Sequence, residues 1–263
     1  MVKVNRDFEN LRERTHGMMP TAVYERIYGT ATALNGRDVV EVGTGHGAGA
    51  ISAGLGLVDA GHGGRIFTLD KLEGGSRAIY GGRGDNQRIV ESNLAGFGVD
   101  SVVTVLVAQA KDLPKLLPPD LEIGMIILDA DGRVDRDLLA LWPRLADDAV
   151  AVIDDYDDRG QARRTGWGKV VIEAKFRMTF EVTNRFLTAG LLELEERIGN
   201  TAFLRRTAKT LDSVPDIEAQ LRDALATLAI SHGVKLSVRA RSLRRLRDWS
   251  PQTYYRLRRA FRR

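Results

Sequence analysis

Val23, Ile27, Ala31 and Leu34 recur at three-to-four-residue spacing, which predicts a helix over residues 21–34 that ends in the turn Asn35-Gly36. Short β-branched and aliphatic runs then alternate with helical patterns. Strands are expected at 37–42, 65–70, 102–107, 123–129 and 150–154. Helices are expected between them at 47–60, 85–96, 111–117 and 135–145. The strand segments are nearly continuous in apolar residues, as in a parallel sheet covered by helices on both faces. A glycine-rich stretch over 74–84 has no hydrophobic period and is a candidate lid. Another helix is predicted at 165–177, and a closing strand pair at 180–184 and 191–195 with Gly190 in the bend.

The expected fold class is therefore α/β: a doubly wound, mostly parallel sheet of seven strands followed by a basic helical C-terminal extension. Three parts are expected: an N-terminal helical segment over 1–34, the α/β domain over 35–197 and the extension over 198–263. Residues 215–231 read as an amphipathic helix and 237–249 as a helix rich in arginine. Ser250-Pro251 opens a last helix bearing Tyr254, Leu257 and Phe261.

Composition narrows the function. Zero cysteines exclude disulfides, thiolate metal sites and cysteine nucleophiles. No apolar run is long enough to span a bilayer, and the first seventeen residues lack the apolar core of a signal peptide, so a cytoplasmic location is expected. The net charge of +4 hides an asymmetry, because residues 198–263 carry fifteen basic and five acidic side chains, which leaves the rest of the chain acidic. Arginines interleaved with Leu243, Leu246, Trp249, Tyr254, Leu257 and Phe261 suit an anionic membrane surface, and so a peripheral place at its inner face. The acidic body argues against a nucleic acid partner. A homodimer is the default oligomer.

The sharpest chemistry lies in Val39-Val40-Glu41-Val42-Gly43-Thr44-Gly45-His46-Gly47. A strand ends in a carboxylate, then turns through alternate glycines into a helix of small residues. Such a turn lets backbone N–H groups approach a ligand closely. Gly43-x-Gly45-x-x-Ala48 also satisfies a loose dinucleotide fingerprint, so an NAD(P)-dependent oxidoreductase is an alternative. Glu41 and the downstream carboxylates weigh against it, since negative charge repels phosphate and suits a cationic amino-acid or sulfonium compound.

Glu41 with the glycine turn, Asp70, Ile127-Leu128-Asp129-Ala130-Asp131 and Ile153-Asp154-Asp155-Tyr156 follow in order, each at an expected strand end. Together they resemble the class I S-adenosylmethionine-dependent O-methyltransferases with a Rossmann-like sheet, in particular the metal-dependent small-molecule branch that includes caffeoyl-CoA-type and sugar-modifying enzymes. The resemblance implies that Glu41, Gly43, Thr44, Gly45, His46 and Gly47 hold the methionine part of S-adenosylmethionine. It implies that Asp70 meets the ribose, Gln109 the adenine edge, and Asp129 both the cofactor and the acceptor side.

It further implies that Asp129, Asp154 and Asp155 bind Mg²⁺ or a similar divalent cation, since clustered carboxylates repel unless protonated or neutralised. The acceptor would be a hydroxylated small molecule, preferably a sugar or glycan. Relatives in this branch carry a lysine or histidine base three residues after the first ligand. That position is Gly132 here, so the base is sought at His16, His46 or Asp131. The missing base also raises an alternative of another kind, a methyltransferase-like scaffold without activity. Trp167 and Tyr156 are candidate lining of the acceptor pocket.

Overall fold

The computed structural model describes residues 6–73, 79–158, 162–164, 170–172 and 174–231, and three single residues further on (246, 250 and 253). Two helices open the chain, α1 (Phe8–Arg14) and α2 (Thr21–Thr32). Strands and helices then alternate: β1 (Asp38–Val42), α3 (Ala48–Ala60), β2 (Ile66–Asp70), α4 (Arg83–Phe97), β3 (Val103–Val107), α5 (Leu113–Leu116), β4 (Ile123–Leu128), α6 (Val134–Leu141) and β5 (Leu145–Ile153). A short ribbon of β6 (Ala162–Arg164) and β7 (Val170–Ile172) precedes α7 (Ala174–Thr188). The hairpin β8 (Leu192–Ile198) and β9 (Thr201–Arg206) follows, then α8 (Ile217–Ser231).

Seven strands form one sheet in the order β3-β2-β1-β4-β5-β9-β8. The first five pair in parallel, and β9 runs antiparallel to both β5 and β8. Because strand side chains alternate in direction, the buried run of β1 serves two cores. Val39 packs with Met125 and Ile127 under α1 to α4, while Val40 and Val42 pack with Ile126 and Leu128 under α5 to α8. Glu41 shares the face of Val39 and so points at α3. That parity is the local reason for the site described below.

The C-terminal third departs from the sequence expectation. Residues 180–184 are not a strand; they lie inside α7, and 170–172 are strand where a helix over 165–177 was expected. Phe180, Val182 and Thr183 have high strand propensity, yet Phe176, Thr179, Thr183 and Phe186 are buried at helical spacing. Burial of that stripe decides the conformation over propensity. The closing pair is instead β8 with β9, turning at Gly199-Asn200, so the sheet continues to Arg206 and past the boundary expected at 197. Ile217, Leu221 and Ala224 of α8 are buried in the same core, which places the start of the basic segment in the body of the protein. The helix expected over 135–145 stops at Leu141, and Leu145 already belongs to β5. Apart from single residues 246 and 253, the helices expected over 237–249 and from 251 onward lie outside the described residues, as do Trp167 and residues 74–78 of the proposed lid.

Candidate active site

Ligands of an open α/β sheet bind beyond the carboxyl ends of the strands, where the strand order reverses. That point lies here between β1 and β4, whose ends pair Val42 with Leu128. The Asp129 N–H donates to the Val42 carbonyl at 2.9 Å, so the two loops leave the sheet back to back. Gly43 makes this possible. Its φ is +106°, and a Cβ there would lie 2.1 Å from the Asp129 carbonyl oxygen.

Glu41 is 2% exposed. Its carboxylate accepts from the Thr68 hydroxyl at 2.5 Å and from the Ala50 N–H at the first turn of α3. Gly49 leaves the space it fills, since a Cβ at that position would come within 2.1 Å of Oε1. Burial pushes the Glu41 carboxyl up to about 8, with Asp129 and Asp70 adding to the effect and the Thr68 bond opposing it. A carboxyl in this state gains from any cation brought beside it.

The glycine turn follows. Thr44 Oγ1 meets Thr68 Oγ1 at 2.6 Å, and the Gly45 N–H donates to Asp70 at 3.3 Å, which ties the ends of β1 and β2 together. The His46 ring packs edge-on against Tyr80 at 4.8 Å and lies 5.9 Å from the His16 ring. Burial lowers the His46 pKa, with His16 adding to it.

A cavity of about 870 Å³ opens over these ends. Its wall includes Glu41, Gly43, Thr44, Gly45, His46, Asp70, Gln109, Asp129, Asp131 and His16, drawn from separate segments expected from sequence to act together. Gly47 is not part of the wall; it opens α3 with φ +96°. Sequence reading missed Tyr24, which rises into the cavity from α2 and accepts the Met19 N–H at 3.2 Å.

Behind Asp129 lie the other two predicted carboxylates. Asp129, Asp154 and Asp155 each offer an oxygen within 4.8 Å of the others. The β8–β9 turn holds two of them: Thr201 Oγ1 donates to Asp154 at 2.6 Å and Asn200 Nδ2 to Asp155 at 3.2 Å. These partners stand more than forty residues away in sequence, and no local signal marks them. Burial raises the Asp154 carboxyl to about 7, with Asp129 and Asp155 contributing, and burial raises Asp129 in the same direction. An all-oxygen, electron-rich donor set of this kind fits a hard divalent cation.

Lys175, in the first turn of α7, is the other residue missed. Its Nζ lies 3.1 Å from Asp129 and 2.5 Å from Asp155. Desolvation works against the ammonium, but the two carboxylates outweigh it and hold its pKa above the usual lysine value. The segment was expected to end a helix, so nothing pointed it at the site. Asp131, a candidate base, is tied to Arg136 at 3.0 Å; burial opposes that pairing, yet the Arg136 bonds keep the carboxyl below its ordinary value. Such a carboxylate is a poor proton acceptor. Tyr156 is buried against Phe180 at 4.9 Å on the α7 side and is not on the cavity wall.

Comparison with known proteins agrees with this fold. A family model described as "Methyltransferase domain" matches residues 40–156, the span from β1 to just beyond β5. Among solved structures, the O-methyltransferase TomG from Streptomyces achromogenes, involved in tomaymycin synthesis and in complex with S-adenosylmethionine, is 15% identical with a TM-score of 0.58 over 79% of this chain and 93% of that one. A putative caffeoyl-CoA O-methyltransferase from Staphylococcus aureus is 13% identical, TM-score 0.57, over 77% and 93%. An O-methyltransferase from Bacillus cereus in complex with S-adenosylhomocysteine is likewise 13% identical, TM-score 0.57, over 78% and 93%. No curated protein sequence matches the chain. The fold is that of the methyltransferases among these solved structures. The particular fold is that of the O-methyltransferases, with a methyltransferase domain over residues 40–156.

Proposed function

We propose that this protein transfers the methyl group of S-adenosylmethionine to a hydroxyl of a small molecule, preferably a sugar or glycan. The observation that carries the reading is the convergence of Glu41, the turn from Gly43 to His46, Asp70 and Asp129 on one cavity. Its volume of about 870 Å³ leaves room for a second small molecule beside the donor. Glu41 answers the positive charge of the donor, the turn packs against its methionine part, and Asp70 accepts from the ribose hydroxyls. Gln109 lies on the same wall for the adenine edge. Asp131, Arg136 and His16 line the wall with donors and acceptors suited to a polyhydroxylated acceptor.

Methyl transfer is an in-line displacement in which the acceptor oxygen attacks carbon and sulfur leaves as a neutral thioether. Holding the three atoms in line supplies much of the rate. Asp129 is placed for this role because it faces both the donor cavity and the carboxylate cluster. Asp129, Asp154 and Asp155 would hold a divalent cation such as Mg²⁺, which when bound stabilises the acceptor oxygen as it loses its proton.

Calorimetric titration with S-adenosylhomocysteine and with NAD(P) tests the donor directly. S-adenosylhomocysteine is expected to bind in the micromolar range or tighter, with no heat from NAD(P). Binding of NAD(P) alone would return the oxidoreductase reading. Methyl transfer is then scored on hydroxylated compounds with Mg²⁺ and with chelator; donor binding without transfer to any of them favours a scaffold.

Among the described residues no helix is long and apolar enough to cross a membrane. We infer from the arginine and aromatic pattern after residue 237 that the C-terminal segment contacts an anionic membrane surface. Deletion after Ser231, which spares α8, is expected to abolish sedimentation with phosphatidylserine vesicles. A full-length protein that never sediments would refute the contact.

A further inference from the structure

The carboxylates of Asp129 and Asp155 already share a cation that belongs to the chain. Lys175 Nζ is 3.1 Å from Asp129 Oδ1 and 2.5 Å from Asp155 Oδ2, and all three side chains are largely buried. An ammonium enclosed in this way is held by charge on two sides and has given up most of its water. Two carboxylate partners at these distances make up for that lost water.

Gly132 is what lets it in. The loop after β4 runs at φ +79° there and presents a bare Cα to α7. A Cβ on residue 132 would lie 3.2 Å from Lys175 Cγ, 3.1 Å from Thr179 Oγ1 and 2.9 Å from Met178 Cε. A side chain at 132 would crowd the Lys175 stem where it passes the loop, and the positive φ adds strain of its own.

Resting on the reading that the carboxylate cluster takes a divalent cation, we infer that Lys175 is the resident counter-ion of Asp129 and Asp155, and that a metal ion enters only by displacing its ammonium. A divalent ion bonded to Asp155 Oδ2 would take the same oxygen that Nζ holds at 2.5 Å. Two cations on one carboxylate oxygen repel, and one must leave. Metal loading is therefore coupled to a movement of the Lys175 side chain. Without metal the ammonium offsets part of the negative charge that would otherwise push the carboxylates apart.

The test measures Mn²⁺ binding by calorimetry and by melting temperature in wild type, Lys175→Met and Lys175→Arg. Lys175→Met is expected to bind Mn²⁺ at least about tenfold more tightly than wild type, the equivalent of one lost unfavourable contact. It should melt below wild type in chelator and recover with Mn²⁺, while Lys175→Arg keeps the charge and behaves as wild type. Lys175→Gln, with a polar tip on a similar stem, serves if the methionine variant does not fold. Equal Mn²⁺ affinity in wild type and the neutral variants, or no uptake by any of them, overturns the inference. S-adenosylhomocysteine titrated into wild type in chelator separates the two readings. Its binding with equal Mn²⁺ affinities refutes the role of Lys175 alone, whereas no binding refutes the methyl-donor reading.

Discussion

Glu41→Gln is expected to flatten the pH dependence of folding stability and to make the ligand-free protein more stable than wild type above pH 8. The Glu41 carboxyl ionises near 4.5 in an unfolded chain and at about 8 in the fold, where burial dominates. Between those values the folded state keeps a proton that the unfolded state has released. Wild-type stability therefore falls as pH rises through that window and levels off above it. A displacement of this size corresponds to on the order of 5 kcal/mol. Glutamine has nothing to ionise. Its carbonyl can accept the Ala50 N–H while its amide donates to the Thr68 hydroxyl, which now donates to Glu41.

The variant keeps a smaller slope from Asp154, whose carboxyl is raised to about 7 by burial first and by Asp129 and Asp155 next. Urea unfolding at pH 5 and pH 8 checks both parts. Equal slopes for variant and wild type would mean that Glu41 is ionised throughout. The same substitution removes the charge proposed to face the donor, so S-adenosylhomocysteine should weaken by about tenfold or more. Stability and binding thus move in opposite directions, which a merely misfolded variant would not show.

Gly43→Ala is the second large effect. The positive φ of +106° costs any L side chain conformational energy, and the added Cβ meets the Asp129 carbonyl oxygen at 2.1 Å. Backbone atoms cannot swing aside as a flexible side chain does, so the ends of β1 and β4 must part. Strain and overpacking together are expected to remove roughly 3 kcal/mol of stability or more. Because Glu41 and Asp129 flank the displaced backbone, donor binding should fall further than stability alone predicts. Gly61→Ala is the control. Gly61 also has positive φ (+65°) but nothing within 4 Å, so it reports the strain without the collision. Comparable losses at both glycines would mean that the approach of the two strand ends is of no consequence.

The parallel half of the sheet was legible because β1, β2, β4 and most of β5 are buried on both faces, with only the edge strand β3 partly open. Continuous apolar runs such as Ile123–Leu128 can be nothing else when flanked by helical patterns. The acidic side of the cavity wall was legible for a similar reason. Chemistry in this architecture collects at strand ends, and Glu41, Asp70 and Asp129 each stand at or just beyond one. The identity of three clustered carboxylates followed from the same rule applied to the end of β5.

The antiparallel edge was not legible. Phe180 to Asn184 alternates like a strand, and its helical state appears only when the burial of Phe176, Thr179, Thr183 and Phe186 against the sheet is known. That one misplacement hid the turn at Asn200 and Thr201, which orients Asp155 and Asp154, and it hid Lys175 as well.

The sequence by itself determined the order of strands and helices through β5, the sign of charge beside the glycine turn and the acidic residues at the strand ends, since these depend on local pattern. Tertiary structure alone decided which distant groups answer those charges. A counter-ion is chosen by proximity in space and by the room Gly132 leaves, and neither is written in the spacing of residues along the chain.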